Sequence, residues 1–162
     1  YSPGRVRRTR CGGDVVVTGP GPVVLDAESL SRFARDPSNE AIRGYLRVAA
    51  ELHREVIVPA VVCAEVCRGV RRTREVEALL SRHERTATGT PAIDVVVTDF
   101  AMARQVGAIL HASGAGSEDI VDAHVVACCV DAGGGLVLTS DEDDISRLAV
   151  AVPAVRIVTR SV

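Results

Sequence analysis

An α/β fold, with helices layered on each side of a mostly parallel central sheet of four to five strands, is what this 162-residue sequence predicts. Three observations lead there. Short β-branched runs recur along the chain, each bounded by Pro, Gly or Asp; stretches with helical apolar spacing stand between them; and 47% of the residues are hydrophobic, enough for one sizeable core. Strands that alternate with helices pair in parallel, because each crossover helix returns the chain to the same end of the sheet. The three-layer α/β/α arrangement follows, in about one domain.

Residues 1–21 read as an N-terminal appendage, flexible or foreign to the native chain. Gly, Pro, Arg and Thr are frequent there, "GPGP" breaks any regular element, and only "VVV" at 15–17 could pair as a strand. The domain proper is 22–162. "PVVLD" (22–26) is a first buried parallel strand ending in Asp, and "AESLSRFARD" follows with helical spacing. "NEAIRGYLRVAAELHRE" (39–55) places Ile42, Leu46, Ala49 and Leu52 at helix-like intervals and leads into the strand "VIVP" (56–59), stopped by Pro59. "AVVCAEVCRGV" is a helix with Glu65 in its apolar face, and "TREVEALLSRHE" a further amphipathic helix. "AIDVVVTD" (92–99) is a third strand, "FAMARQVGAILHASG" a helix closed by Gly114, and "SEDIVDAHVVACCVDAGG" another that ends at Gly133. "GLVLTSD" gives a fourth strand ending in Asp141, a short helix spans 143–149, and "AVRIV" (154–158) offers a fifth strand.

Composition narrows the function. With 2% aromatic residues and no Trp, the chain lacks the stacking platforms that hold single-stranded bases, so any nucleic-acid contact must be ionic. The formal net charge is −2, yet all 19 basic side chains of the Lys/Arg class are Arg, clustered at "RVRRTR" and "RGVRRTR", while "SDEDD" (140–144) is acidic. Such clusters form solvated faces, and Arg also suits bidentate phosphate contacts. Five cysteines, with Cys63/Cys67 and Cys128/Cys129 in apolar helical patterns, read as reduced thiols of an intracellular protein and not as a disulfide framework or a zinc site. No apolar run approaches the roughly 18 residues that span a bilayer. We therefore expect a soluble, cytoplasmic protein.

The acids at the strand ends carry the chemistry. In open parallel sheets, functional groups gather where the carboxyl ends of strands meet loops and helix N-termini. Asp26 follows "PVVL" and Asp141 follows "LVLTS". Glu65 and Asp122 sit one to two turns into helices that adjoin the second and fourth strands. Taken singly, each has an ordinary explanation: Asp26 and Asp141 as helix caps, Glu65 as a partner of Arg68, Asp119 as a charge at a helix N-terminus. Together, carboxylates embedded in apolar faces repel one another and need a compensating cation. Oxygen-only ligation suits Mg²⁺ or Mn²⁺ and not zinc. His124 lies about 200° around its helix from Asp122 and reads as a packed or partner-facing residue; His53, His83 and His111 read as helix-surface residues.

"VVLDAESL", "VPAVVCAEVCRG" and "DAHVVACCVDAGGGLVLTSDEDDI" resemble, in order and spacing, the PIN domain, and look most like the VapC ribonuclease toxins of bacterial VapBC modules. The resemblance covers roughly 22–158. It implies an acidic quartet of Asp26, Glu65, Asp122 and Asp141, serving both as the catalytic set and as ligands of Mg²⁺ (or Mn²⁺), with Asp119, Thr139 and Ser140 in support. It implies an endoribonuclease that cleaves RNA by metal-activated water attack on the phosphodiester. The implied partners are RNA, a VapB-like antitoxin and a second copy of the chain in a homodimer. Arg68, Arg71 and Arg72, read as following Glu65 along one helix, are candidates for phosphate contacts. Glu28 departs from the family pattern, where a small residue is frequent. A PIN-like module that binds RNA or protein without cutting is the alternative. An aspartyl-phosphate phosphatase, suggested by "LDAES", is disfavoured because the chain has no Lys to pair with the phosphorylated carboxylate.

Overall fold

The computed structural model describes residues 6–7, 21–83 and 91–162. Strands β1 (Val6–Arg7), β2 (Val23–Leu25), β3 (Val56–Pro59), β4 (Ile93–Val96), β5 (Gly135–Thr139) and β6 (Ile157–Ser161) form one sheet in the order β1-β4-β3-β2-β5-β6. Every pairing is parallel. The five predicted strands are all present, and β1, within the predicted appendage, adds two residues beside β4. The run at 15–17 lies outside the described residues.

All three residues of β2 and all four of β3 are buried, so both faces of the central sheet are covered and no strand shows the alternation of a half-exposed sheet. The β-branched composition is the cause: Val and Ile pack well on a pleated surface, and each such side chain taken from water contributes about 1.5–3 kcal/mol. The covering helices are α1 (Ala27–Arg35), α2 (Glu40–Glu51), α3 (Ala60–Val66), α4 (Val70–His83), α5 (Phe100–Ser113), α6 (Ile120–Asp131) and α7 (Glu142–Ala149). Helix α6 is buried without a break from Ala123 to Cys129, as a helix wedged between the sheet and its neighbours must be.

Caps set most helix boundaries. Asn39 accepts from Ile42 N at 3.2 Å to start α2, and Asp99 accepts from Met102 N at 2.9 Å to start α5. Gly114, at φ 68°, closes α5 in the left-handed conformation that its position in the sequence implied.

Four expectations are corrected. The stretch 60–70 is not one helix: α3 ends at Val66, and the chain turns through Gly69 at φ 98°, a conformation that only glycine takes without strain. Arg68 therefore lies in a turn, while Arg71 and Arg72 belong to α4, so the three do not continue the helix of Glu65. The segment 117–134 is divided into a 3₁₀ turn at Ser117–Asp119 and α6. The last strand begins three residues later than its apolar pattern suggested, because residues 152–155 form a turn around Pro153, with Val155 N donating to Val152 O at 3.0 Å. His83 is buried and not superficial. Its ring lies 5.5 Å from that of Phe33, its Nδ1 is 3.1 Å from Pro91 O, and burial lowers its pKa.

The four described cysteines are free thiols. Burial pushes Cys63 and Cys128 up to about 12, which keeps them protonated and unreactive at neutral pH.

Candidate functional site

With all strands parallel, their carboxyl ends share one edge of the sheet. β2 is flanked by β3 on one side and β5 on the other, so the connections diverge at its end, the kind of switch point where open parallel sheets place their ligands. Asp26 occupies that position. It is only 7% exposed, its Oδ1 accepts from Ser29 N at 2.7 Å, and its own N–H donates to Leu138 O at 3.2 Å. The predicted cap is thus real, and it holds the carboxylate still while leaving Oδ2 free of any described partner. Ser29 Oγ donates back to Asp26 O at 3.1 Å, a support that the sequence reading did not single out.

Glu65, partly buried on α3, has no ion-pair partner among the described residues; in particular it does not pair with Arg68. Asp122, partly buried in the first turn of α6, likewise has no described hydrogen bond. Burial first, and then the charges of Asp144, Asp26, Glu65 and Asp119, push the Asp122 carboxyl up to about 6. The charges of Asp26, Glu65 and Asp119 are thus felt at Asp122, and that of Asp144 with them.

Asp141 stands differently. It is exposed and N-caps α7, its Oδ1 accepting from Asp144 N at 3.3 Å, and it is not among the charges that raise Asp122. Buried Thr139 supports it as expected, accepting from Asp141 N through Oγ1 at 2.9 Å, whereas Ser140 is exposed. Glu142 is occupied elsewhere, accepting from Thr159 Oγ1 at 2.7 Å. Of the acidic run, Asp144 is the member whose charge bears on Asp122. The run itself was visible; that its fourth carboxylate is the one held by Arg147 depends on the first turn of α7.

Asp119 does not cap α6 with its side chain. Arg147, in the last turn of α7, donates to it through Nη2 at 2.8 Å, which holds its carboxyl below the usual range. His124 is packed: it is 6% exposed, its Nδ1 lies 2.7 Å from Ile120 O, and its Nε2 is buried without a partner. Glu28 is engaged by Arg32 at 2.9 Å on the surface of α1. Arg68, Arg71 and Arg72 are exposed, with Arg71 paired to Glu75 at 2.9 Å.

The donor set is carboxylate oxygen throughout, gathered around an acid with no cation of its own, which fits a hard divalent ion in kind. Among the described residues, no three carboxylate, His or Cys groups converge closely enough to hold one ion together, so the fit is one of chemistry and charge.

A parallel α/β sandwich with acids gathered at the strand ends defines the class of protein. Residues 23–151 match the PIN domain family model, and the chain belongs to the PIN domain family. Its fold is similar to that of a chain in the crystal structure of VapBC2 from Rickettsia felis bound to a promoter DNA fragment: TM-score 0.57, 13% identity, 85% of this chain and 98% of that one. It is also similar to a chain in DNA-bound VapBC from Salmonella typhimurium, with TM-score 0.59, 18% identity, and 85% and 97% coverage. No curated protein matches by sequence. No helix among the described residues is long and apolar enough to cross a membrane.

Proposed function

We propose that this chain is a metal-dependent endoribonuclease, the toxin of a type II toxin-antitoxin pair, working in the cytoplasm. The observation that carries the reading is Asp122: a partly buried carboxyl raised to about 6, crowded by four further carboxylates at the carboxyl ends of parallel strands. A fold does not keep such a group for stability, since an uncompensated buried charge is destabilising.

Asp26 and Asp122 would hold Mg²⁺ or Mn²⁺, with Glu65 and Asp141 shaping the site directly or through water. When bound, the ion lowers the pKa of the attacking water and offsets charge developing on the phosphate. The chain's own residues do the positioning. Ser29 fixes Asp26 and Thr139 fixes the turn that carries Asp141, while exposed Arg68, Arg71 and Arg72 would contact RNA phosphates. The VapBC complexes among its structural neighbours support a VapB-like antitoxin as partner; the chain itself would pair with a second copy as a homodimer.

The test is cleavage of a mixed cellular RNA pool by the purified chain with Mg²⁺, Mn²⁺ or EDTA, beside Asp122→Asn. Cutting that requires metal and disappears in the variant is the expected result. The spacing of the carboxylates also favours a second reading, a PIN domain that binds RNA or protein without cutting; binding without cleavage, indifferent to EDTA and to the substitution, would establish it.

A further inference from the structure

Phe100 opens α5 with its ring in water. It is 81% exposed, the most exposed large apolar side chain among the described residues, whereas Phe33 is buried in the core and Tyr45 is partly buried. A lone exposed Phe needs no explanation by itself, but its setting supplies one. Pro59 pairs with Val96, and continuing the β2–β3 register from Val24 opposite Ile57 sets Asp26 opposite Pro59. Asp26 and Val96 therefore lie level with each other across two strand spacings, about 10 Å. Phe100 follows Val96 by four residues, at the same carboxyl edge of the sheet. Arg104, one turn on, is its neighbour on the helix face, with Cβ atoms about 6 Å apart. It is exposed and has no hydrogen bond or ion pair among the described residues. Helix α5 contains no Asp or Glu, in a chain of net charge −2. The acid just before it, Asp99, is engaged as the helix cap, its Oδ1 accepting from Met102 N at 2.9 Å.

We propose that Phe100 stacks on a base of the single-stranded RNA substrate and that Arg104 holds an adjacent phosphate, so that the exposed face of α5 positions the strand beside the acids. The inference deepens the ribonuclease reading above and rests on it. Stacking suits the place because every base offers a π-face, and the ring leaves water as it stacks. Arginine supplies the paired donors that a phosphate accepts. Carboxylates repel an RNA backbone, so the strand needs a hold beyond them, and a carboxylate-free helix face a few nucleotides from Asp26 provides one. The exposed residues beside Phe100 are Thr98, Ala101, Ala103 and Arg104, too little apolar surface for the core of a protein interface. A chain poor in aromatics thus keeps one exposed platform among the described residues, and its RNA contact is not ionic alone.

The experiment measures binding of a mixed-sequence RNA of about 12 nucleotides to the full chain in EDTA, which holds off cleavage. The chain has no Trp, so Phe100→Trp places its one indole at the proposed contact, and RNA should quench its fluorescence. Phe100→Tyr should bind as wild type does. Phe100→Leu and Phe100→Ala should each bind roughly five- to 150-fold more weakly, the scale of one stacked base. Arg104→Gln should lower the slope of log Kd against log salt by about one, and Phe100→Ala should leave that slope unchanged. Phe100→Leu binding as tightly as wild type, or an indole that RNA does not quench, would overturn the stacking. Phe100→Ala that binds RNA normally but changes the assembled mass in sedimentation would assign the ring to a protein interface and overturn it too. Each of these results, beside a wild type that cuts RNA with metal, leaves the ribonuclease reading intact. A wild type that neither binds nor cuts RNA would overturn both.

Discussion

Replacing Asp122 by Asn should stabilise the metal-free protein, and by an amount that depends on pH. The carboxyl is pushed up to about 6 from an ordinary 3.8. A carboxyl raised in the folded state binds its proton more tightly there than in the unfolded chain. Its contribution to stability is therefore fully favourable below about pH 4 and is lost as pH rises through 6. Two pH units at about 1.4 kcal/mol each set a ceiling near 3 kcal/mol on the cost of the ionised form. Asp122 is only partly buried, and solvent screens its neighbours, so about 1–2 kcal/mol is expected at pH 8. Urea unfolding in EDTA at pH 4, 6 and 8 measures it. The variant should match wild type near pH 4 and exceed it by that margin at pH 8. A difference that is flat across the range, or a variant less stable at pH 8 than at pH 4 relative to wild type, would refute the claim that like charges and burial hold the proton on Asp122. Mg²⁺ should then raise the stability of wild type by mass action and leave the variant almost unmoved.

Two further predictions concern the frame of the site. A Cβ at Gly21 would run into the backbone of Gly134, and Gly21 O accepts from Arg54 Nε at 2.6 Å, so Gly21→Ala should lower stability by about 1–3 kcal/mol; an unchanged melting temperature would show that the chain entering β2 is not seated there. Asp144→Asn should lower the pKa of Asp122 and Asp141→Asn should leave it nearly unmoved, followed by carboxyl ¹³C NMR against pH, because Asp144 and not Asp141 is among the charges that raise it; equal shifts would refute that ordering.

Legibility in the sequence followed the range of the interactions involved. β3 was found at its observed boundaries, since a run of Val and Ile ended by Pro allows little else. Asp26 was found because the cap it makes, to Ser29 three residues on, is local chemistry. Glu65 and Asp122 could be singled out because a carboxylate within an apolar helical pattern is conspicuous at short range. The break between α3 and α4 is also local, made by Gly69 at positive φ, but the apolar spacing runs on through it and masks the break.

What escaped was decided over long separations. His83 carries a polar ring at the end of an amphipathic helix, and tertiary packing buries it, with Phe33, fifty residues earlier, against the ring and Pro91 O at its Nδ1. Arg147 and Asp119 are 28 residues apart and meet because α6 and α7 pack side by side. Asp144 rather than Asp141 bears on Asp122, and Asp141 instead caps the start of α7 at Glu142. The sequence by itself determined the alternation of strands and helices and the acids that end or adjoin them, since caps, β-branched runs and apolar periods act within a few residues. Which carboxylates share a charge field, and which cation answers them, was decided only by tertiary packing, because Coulomb interactions depend on separation in space and not along the chain.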